Sequence, residues 1–436
     1  MRLRVDSLAY GGDAVARAED GRVVFVRYGC PGDVVEVESL EEHNRHIVAT
    51  IREVVEPSPQ RVKPPCPYFG RCGGCQWQHI AYPTQLAAKR QSVLDALVRI
   101  GGIAEPVVAD TLPSPAEYGY RNRIELTVTD TPTGLRLGYA ELHSDQILPV
   151  DVCLLPPKRL QKAPKALAGG LRYLSGRGEV ELARVSLRSA ARYSDVAVDL
   201  WGPPSGFPRQ MAAKVLRDAV RASSITRVLF KGPLKERRVS KVEVLSGRGF
   251  WRERLGEESY VVSAPSFFQV NTAVAERLVA LALDELECDG TDRVLDLYAG
   301  VGTFTLPLAN LAEEVVAVEG SSSAIGDLRR NLEEAQLYAE VVGGDAAREL
   351  PDLGHFDKAL IDPPRGGLQP AALDALVAAG PSRIVYVSCD PATLARDARR
   401  LLDAGYSLRR ATPVDMFPQT YHVETVALFE RERIES

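Results

Sequence analysis

The sequence predicts a multidomain α/β protein, because the rhythm of apolar residues changes twice along its 436 residues. Residues 1–56 contain short runs in which apolar and polar residues alternate, and they predict a small β-barrel. Residues 57–260 mix strand-like and helical patterns, which predicts a central α+β domain. In residues 261–436 strands alternate with amphipathic helices, which is typical of a doubly wound, mostly parallel sheet.

The composition sets broad limits on function. Hydrophobic residues make up 45% of the chain and charged residues 25%, as in ordinary globular proteins. The sequence shows neither a basic-then-apolar leader nor a long uncharged apolar run, so we expect no membrane span and a cytoplasmic location. The formal net charge of -5 argues weakly against a nucleic-acid partner, but local patches rather than the net charge set the field at a cleft.

The elements of the first third are delimited by Gly and Pro residues that interrupt the apolar runs. Strand-like runs such as GRVVFVRYG and HIVATIREVVEP are broken by Gly and Pro, and a proline-rich basic linker, PSPQRVKPP, comes next. Apolar spacing then predicts a helix from Tyr82 to Ile100, which ends at Gly101-Gly102. Residues of about 80–116 are candidates for packing against the last domain rather than the central one.

A cluster of cysteines stands between the linker and this helix. Cys66, Cys72 and Cys75 lie in CPYFGRCGGC, where Gly-rich turns between sulfurs are typical of a metal centre. Cys153 is the best candidate for a fourth ligand, because Cys30 lies in the predicted barrel. The spacing alone does not distinguish zinc from a [4Fe-4S] cluster.

The first strand of the last domain ends in a glycine-containing loop, Asp296 to Phe304. Gly300 and Gly302 let the backbone approach a ligand, but the third glycine of a dinucleotide fingerprint is absent. Glu319 ends the next strand, where a carboxylate can accept ribose hydroxyls, and Asp345 follows the third strand, where it would meet an adenine edge. This ordered set resembles the class I S-adenosylmethionine-dependent methyltransferases.

Two further residues fall at the ends of the next strands. Asp362, in IDPPRGG, is held rigid by two prolines where a transferred methyl group should lie. Arg365 occupies the place where many amino-methyltransferases carry an aromatic residue, which disfavours N-methylation. Cys389 ends the fifth strand, and taken alone it is as compatible with a buried inert thiol as with a nucleophile. A thiolate that adds to C6 of uracil makes C5 able to accept a methyl group.

That chemistry also needs a stacking surface and a base. SFFQVN offers Phe267 for stacking on an extruded base and Gln269 for binding cofactor or base, although its aromatic residues could equally pack a domain junction. In HVETVALF, Glu424 interrupts an apolar strand on the same side as His422. A carboxylate there is costly unless it is paired or useful, so a general base and a structural ion pair are both open.

Taken together, the motifs identify a family. The segments CPYFGRCGGCQWQHIAYPTQLAAKR, GYRNRIEL, SFFQVN, LDLYAGVGTFTLPLA, IDPPRGG, VSCDPATLARD and HVETVALFER occur in this order over essentially the whole chain. They resemble the RNA uracil-5-methyltransferases that carry an N-terminal TRAM domain, an OB-like RNA-binding barrel, and an iron–sulfur cluster. The resemblance implies S-adenosylmethionine and a [4Fe-4S] cluster as cofactors, RNA as the partner and a monomeric enzyme.

The resemblance also implies roles for individual residues. Cys389 matches the nucleophile and Glu424 the base that removes the C5 proton, while Phe267 matches an aromatic residue that lies against the flipped base. Arg121 and Arg123 match RNA contacts. The positions implied for the cofactor are Gln269, Tyr298, Gly300, Gly302, Glu319, Asp345 and Asp362, and those implied for the cluster are Cys66, Cys72, Cys75 and Cys153.

Two residues depart from the family pattern. Asp390 replaces the Asn that commonly follows the catalytic Cys, and Tyr298 replaces a frequent Phe. A carboxylate beside the thiol would raise the thiol pKa unless it is paired. We expect the enzyme to form 5-methyluridine in 23S rRNA. The alternatives are the T-loop of tRNA and an RNA-binding factor whose transferase is vestigial.

Overall fold

The computed structural model describes residues 1–132, 134–177, 180–232 and 238–431. Within these residues the chain forms a closed barrel, a seven-stranded mixed sheet, a two-stranded hairpin and a second seven-stranded sheet. Helices cover the two larger sheets. The predicted multidomain α/β fold, with an N-terminal barrel and a doubly wound C-terminal sheet, is confirmed.

The barrel forms because each of its strands alternates buried and exposed residues. Its strand order is β1-β2-β3-β5-β4, in which only β3 and β5 pair in parallel. Closure leaves no free sheet edge. The strands are β1 (Arg2–Leu8), β2 (Ala14–Arg17), β3 (Val23–Arg27), β4 (Val34–Glu42) and β5 (His46–Glu56).

The segment that follows the barrel, residues 77–99, contributes buried residues to two hydrophobic cores, that of the barrel and one of the C-terminal sheet. Trp77 and Ile80 are buried in the barrel core, together with the inward side chains of the strands. Helix α1 (Tyr82–Arg99) begins with a proline in its first turn and buries Val93 and Leu97 in a different core, under the C-terminal sheet. This short stretch therefore ties the barrel to the last domain.

The central sheet has the order β12-β11-β10-β9-β6-β7-β8, with one parallel pair, β10 and β11. Two helices pack on one face of it, and a short 3-10 turn (Lys158–Leu160) precedes the first of them. The elements are β6 (Arg123–Thr131), β7 (Gly134–Ala140), β8 (Ile147–Pro149), α2 (Ala163–Ser175), β9 (Arg184–Ser189), β10 (Val196–Gly202), α3 (Arg209–Val220), β11 (Ser224–Lys231) and β12 (Arg238–Ser246).

A hairpin connects the central sheet to the last domain. It consists of β13 (Phe250–Leu255) and β14 (Glu258–Ser263), and its buried residues belong to the core of the C-terminal sheet. Helix α4 (Thr272–Leu286) follows, and the Asn271 side chain accepts a hydrogen bond from the Val274 amide as its N-cap.

The C-terminal sheet has the order β17-β16-β15-β18-β19-β21-β20, in which only β21 runs antiparallel to the other strands. Neighbouring residues of its central strand, Val294 and Leu295, enter cores on opposite faces, as expected for a sheet covered on both sides. The elements are β15 (Arg293–Leu297), α5 (Thr305–Ala309), β16 (Glu314–Glu319), α6 (Ser322–Ala335), β17 (Glu340–Gly343), α7 (Ala346–Glu349), a 3-10 turn (Leu350–Asp352), β18 (Lys358–Ile361), α8 (Pro370–Ala379), β19 (Arg383–Ser388), α9 (Pro391–Asp403), β20 (Tyr406–Val414) and β21 (Glu424–Arg431).

Helix α1 and the residues that follow it, as far as Leu112, also cover the β20 edge of this sheet. Helix α1 packs against α9, and Val108 and Leu112 form parallel bridges to Ala411 and Val414 of the edge strand β20. These bridges occupy backbone groups that an open edge would leave unpaired. In the part of the chain that the structure describes, no helix has both the length and the apolar character that crossing a membrane requires.

Candidate active site

The loops that follow the parallel strands meet at one edge of the C-terminal sheet, where ligands of such sheets bind. The central strand β15 carries the glycine loop at this edge. Tyr298 adopts a φ of +67°, which is uncommon for a residue with a side chain, and its amide donates to the Val318 carbonyl at 2.9 Å. A strained backbone of this kind often marks a functional position.

The two glycines of the loop have different reasons to be glycine. Gly302 has a φ of +95°, and a Cβ there would approach Leu306 and Leu328 to 2.6 and 2.7 Å. Gly300 has a φ of +58° with open space around it, and its amide donates to Glu319 Oε2 at 2.9 Å. Gly302 therefore packs the loop on the helices, whereas Gly300 leaves room next to the Glu319 carboxylate.

Two carboxyl groups at neighbouring strand ends, Asp296 and Asp362, have raised pKa values. Burial raises the pKa of Asp296 and that of Asp362 to about 7; the Glu319 charge adds to the shift of Asp296, and the Asp296 charge adds to that of Asp362. Asp296 Oδ2 accepts from the Thr305 hydroxyl at 2.5 Å, while its buried Oδ1 has no hydrogen-bond partner among the described residues. Such a pair is suited to a cationic ligand, because an ammonium or sulfonium charge would offset both carboxylates.

The other two acidic positions line the same edge. Glu319 Oε1 accepts from the Ser321 amide at 2.6 Å, which holds its carboxylate at the end of β16. Asp345 is exposed and caps α7 by accepting from the Ala347 amide at 3.1 Å. The nearby Asp345 charge also adds to the burial that raises the pKa of Tyr298 to about 12. These residues fit the ribose and adenine ends of a nucleoside ligand.

Cys389 and Glu424 come together across the last antiparallel strand pair. Ser388 of β19 pairs with Thr425 of β21, so the next facing positions are Cys389 and Glu424. Burial raises the pKa of Cys389 to about 12, with further contributions from Glu424 and Asp362. Burial and Asp362 likewise raise the pKa of Glu424 to about 8. No ion pair of Glu424 occurs within the described residues, so the structural ion pair considered from sequence is not found there.

Asp390, the departure noted from sequence, has partners for both oxygens. Oδ1 caps α9 by accepting from the amides of Ala392 and Thr393 at 3.0 and 3.2 Å. Oδ2 accepts from the Tyr10 hydroxyl at 3.1 Å and faces Arg365 Nε at 3.5 Å. Both oxygens of the carboxylate therefore accept hydrogen bonds, and one of them also faces a cation.

The SFFQVN loop presents Phe267 on a rigid support. Ser266 donates to Asp327 at 2.6 Å, and its carbonyl accepts from the buried Arg188 guanidinium at 2.5 Å. Phe267 is 61% exposed between these anchors, whereas Gln269 is buried and its carbonyl accepts from the Asn122 amide group at 2.8 Å. An exposed ring on a fixed loop is suited to stacking on a base.

One cavity of about 470 Å³ connects the thiol to the cysteine cluster. It is lined by Cys389 and by all four predicted cluster cysteines, Cys66, Cys72, Cys75 and Cys153. Burial raises the pKa of Cys72 to about 11 and that of Cys75 to about 12, and the pKa of Cys153 is also raised. In the described ranges, no three histidine, cysteine or acidic side chains are close enough to form a metal-ion site.

The two arginines predicted to contact RNA are placed differently. Arg121 lines the cavity, and its guanidinium lies 5.9 Å from the centre of the Phe417 ring. Arg123 is paired with Glu125 at 3.1 Å and does not belong to the described cavity lining. Burial lowers the pKa of Arg123. Of the two, Arg121 is therefore the one that a ligand in the cavity would meet, although its Nε donates to the Arg123 carbonyl at 2.9 Å.

Several residues that shape the site were missed from sequence. On α1, Gln85 donates to Gln419 at 3.1 Å and Lys89 forms a fully buried ion pair with Asp415. Tyr82 donates to the same Asp415 at 2.7 Å. These bonds fix the loop that leads to Glu424. The signal was present, because polar residues spaced four apart on a buried helix face need partners.

The site and the fold together define a methyltransferase with a nucleoside-bearing donor. The tRNA (Uracil-5-)-methyltransferase family model matches residues 231–342 and 349–432. A 23S rRNA (uracil(1939)-C(5))-methyltransferase of Shewanella amazonensis is 35% identical, with 99% of this chain and 95% of that protein covered. An uncharacterized RNA methyltransferase of Thermosynechococcus vestitus is 37% identical, with 98% of this chain and 97% of that protein covered.

A solved structure shows the same fold. The tRNA (uracil-54, C5)-methyltransferase of Pyrococcus abyssi, in complex with S-adenosyl-L-homocysteine, matches with a TM-score of 0.75 and 29% identity over 98% of this chain and 100% of that chain. The chain belongs to the RNA uracil-5-methyltransferase family. It is an S-adenosylmethionine-dependent enzyme that methylates uracil C5 in RNA, as the sequence predicted.

Proposed function

We propose that this enzyme methylates a uridine of 23S rRNA through a covalent bond between Cys389 and C6 of the base. The observation that carries the proposal is the register of β19 and β21, which puts Cys389 opposite Glu424 beside Asp362. A nucleophile, a base and an acidic pocket for the donor thus meet at one sheet edge. These are the parts that C5 methylation requires.

In this proposal the Cys389 thiolate adds to C6, and the electrons of the C5–C6 double bond move toward the C4 carbonyl. C5 then accepts the methyl group that bound S-adenosylmethionine supplies. Glu424 removes the C5 proton, the double bond re-forms and the thiolate leaves. Burial raises the pKa of Glu424 to about 8, so its carboxylate, once ionised, is a stronger base than that of an ordinary glutamate.

Burial is the main cause of the high pKa of Cys389, and its acidic neighbours add to it. Glu424, Asp362 and Asp390 face the thiol, and Arg365 is the cation that opposes them. A cationic donor held by Asp296 and Asp362 would reduce this negative field and favour the thiolate. The order of binding in the proposal is therefore donor first, then attack on the base.

The donor would be held along the carboxyl ends of the strands. Glu319 suits the ribose hydroxyls, with Gly300 leaving space beside it, and Asp345 and Tyr298 suit the adenine. Asp362 suits the charged end of the donor, because its pKa is raised by desolvation and no cation pairs with it among the described residues. Gln269 and Gly302 are the remaining residues that we propose to contact the donor, and Gly302 packs its loop closely on Leu306 and Leu328.

The base would enter from the side of the SFFQVN loop. Phe267 would stack on the extruded uracil, since its ring is exposed on a loop that Ser266 and Arg188 hold in place. Arg121 would meet a phosphate or base near the cavity, whereas Arg123 would act through its pairing with Glu125. We expect the loss of Arg121 to weaken RNA binding more than the loss of Arg123.

We also propose that Cys66, Cys72, Cys75 and Cys153 hold a [4Fe-4S] cluster. The support is that the four thiols line one cavity and are a donor set of the kind that such clusters use, although no three of them lie close enough to hold a single metal ion. Bound there, a cluster would fasten the cysteine loop to the central sheet, because Cys153 follows β8 and the other three precede α1. The proposed role is structural.

The choice of rRNA rests on the relatives. The Shewanella protein named for 23S rRNA is 35% identical, whereas the Pyrococcus protein named for tRNA is 29% identical. The tRNA T-loop remains the second candidate substrate, because that tRNA enzyme shares the fold over nearly the whole chain. A vestigial transferase is disfavoured, since Cys389 and Glu424 are both present and face each other.

The proposal assigns a task to each part of the chain. Residues 1–56 form the RNA-binding barrel, residues 57–260 carry the cluster and further RNA contacts, and residues 261–436 transfer the methyl group. The last of these, 432–436, lie outside the described residues. We place the enzyme in the cytoplasm and expect it to act as a monomer.

The test is to map 5-methyluridine by mass spectrometry in 23S rRNA and tRNA from a strain that lacks the enzyme. We expect one or more 5-methyluridines to disappear from 23S rRNA and to return with the wild-type chain but not with Cys389→Ala. Loss from tRNA alone would contradict the rRNA assignment. Restoration by Cys389→Ala would contradict the covalent mechanism.

A further inference from the structure

The environment of Asp390 links the catalytic loop to the barrel. One of its oxygens caps α9 through the amides of Ala392 and Thr393, so its position fixes the turn that carries Cys389. Its other oxygen accepts from the Tyr10 hydroxyl at 3.1 Å. Tyr10 belongs to the loop between β1 and β2 of the barrel, far from the catalytic loop in sequence.

The Tyr10 loop is held on both sides of this contact. The Tyr10 ring meets the Tyr421 ring edge-on at 5.4 Å, and Trp77 donates to the Gly12 carbonyl at 2.9 Å. The packing is reciprocal: Tyr10 packs against the core of the C-terminal sheet, and Tyr421 packs against the barrel core. The Tyr10 side chain is therefore held by packing on both sides, and this packing fixes its hydroxyl next to Asp390.

Arg365 completes the arrangement from a third loop. Its Nε faces Asp390 Oδ2 at 3.5 Å, and its side chain also contacts Tyr421. The barrel loop, the loop after β18, the loop after β19 and the loop before β21 are thus joined around one carboxylate. The residues of this ring are Tyr10, Arg365, Asp390 and Tyr421.

We propose that Tyr10 is a positioning residue for methyl transfer, which with Arg365 holds Asp390 and thereby fixes Cys389 against the incoming base. This inference rests on the proposed role of Cys389 as nucleophile. It assigns the barrel a second task beyond binding RNA, because the barrel supplies a polar group that the catalytic loop needs. An Asn at position 390 would need this support less, since it carries no charge.

The charge balance around the thiol gives the inference a distinctive consequence. The groups that face Cys389 are Glu424, Asp362 and Asp390, opposed by Arg365. Without the Tyr10 hydroxyl, the Asp390 charge would be less neutralised and the Cys389 thiolate less stable. Removing the Asp390 charge would act in the opposite direction. The rate of alkylation of Cys389 at a fixed pH reports the thiolate fraction and so measures both effects.

The experiment compares Tyr10→Phe with Tyr193→Phe in the full-length enzyme. The control also loses one tyrosine hydroxyl bond, to Ser259 at 2.8 Å, between the loop after β9 and strand β14. The readouts are the single-turnover rate of methyl transfer to an rRNA fragment, the KM for that RNA, the thermal midpoint, and iodoacetamide alkylation of Cys389 mapped by peptide mass spectrometry.

We expect Tyr10→Phe to slow methyl transfer by about tenfold, as expected for loss of a hydrogen bond to a charged group, with the KM for RNA unchanged. Alkylation of Cys389 should slow as well, and adding Asp390→Asn to Tyr10→Phe should restore it. Tyr193→Phe should change neither rate.

A fall in thermal midpoint with wild-type transfer and alkylation rates would overturn the inference, because Tyr10 would then only join the barrel to the sheet. A rise in KM alone would overturn it too, since Tyr10 would then serve RNA binding. Full activity of Cys389→Ala would instead refute the proposed function on which the inference rests.

Discussion

The Tyr10 hydroxyl donates a hydrogen bond of 3.1 Å to Asp390 across 380 residues of sequence. From sequence, a carboxylate beside Cys389, the proposed nucleophile, was a reason to expect a raised thiol pKa. The structure shows instead that Asp390 caps α9 with one oxygen and meets Tyr10 and Arg365 with the other. The departure from the family pattern is thus compensated by neighbours that come from distant parts of the chain.

The role of Glu424 predicts a trapped intermediate. In Glu424→Gln the thiol can still add to C6 and the methyl group can still be transferred, but the C5 proton cannot be removed. We expect turnover to fall by about 10²–10⁴-fold, the usual contribution of a general base, and a covalent enzyme–RNA complex to accumulate. Denaturing gel electrophoresis with labelled RNA measures the complex. Loss of turnover without any complex would place Glu424 at an earlier step.

The buried carboxyls predict a pH dependence of stability. The folded-state pKa of Glu424 is raised from 4.5 to about 8, so the folded protein keeps a proton that the unfolded chain releases. Its contribution to the free energy of unfolding is therefore largest below pH 4.5 and declines as the pH rises to about 8. We expect Glu424→Gln to lose less stability than the wild type over this window, in urea titrations at several pH values. A constant difference between the two proteins would contradict the raised pKa.

Two neighbouring phenylalanines provide a matched pair. Phe267 is 61% exposed, whereas Phe268 is 3% exposed between Trp251 and Tyr260. Phe267→Ala should weaken RNA binding by about 1–3 kcal/mol, the usual range for base stacking, without changing the thermal midpoint. Phe268→Ala should destabilise the fold by about 3–5 kcal/mol. Fluorescence-anisotropy binding and calorimetry measure the two effects. An unchanged RNA affinity in Phe267→Ala would exclude stacking by that ring.

If the cysteines that line the cavity hold an iron–sulfur cluster, replacing one of them should remove iron from the protein, whereas replacing a cysteine elsewhere should not. Anaerobically purified wild-type protein should contain iron and acid-labile sulfide, and Cys75→Ser should lose both and unfold at lower temperature. Cys288→Ser is the control, because Cys288 lies outside the cavity and packs near the end of α4. Zinc in the wild-type protein, with no iron under anaerobic conditions, would refute the cluster and favour the simpler metal.

Much of the fold was accessible from sequence because its signals are local. Alternation of apolar residues in β1 and β3 predicted the barrel, and the strand–helix rhythm after residue 261 predicted the doubly wound sheet. The glycine loop and its following acidic residues also have fixed spacings along the chain. Such features need no knowledge of which distant residues meet.

The parts that escaped prediction depend on long-range contacts. The ion pair of Lys89 with Asp415 and the bond from Tyr10 to Asp390 join residues more than three hundred positions apart. Nothing in the sequence near Tyr10 indicates that this residue contacts the turn after Cys389. Likewise, the sequence could not separate Arg121, which lines the cavity, from Arg123, which pairs with Glu125.

The most direct test of the account is to trap Cys389 on its substrate. RNA that carries 5-fluorouridine at the target position has no C5 proton to remove, so the enzyme should stop as a covalent adduct after methyl transfer. With S-adenosylmethionine present, intact-mass and peptide mass spectrometry should find the methylated fluorouridine attached to Cys389, and none in Cys389→Ala. Methyl transfer to ordinary RNA by an enzyme that never forms this adduct, or an adduct on another residue, would contradict the account.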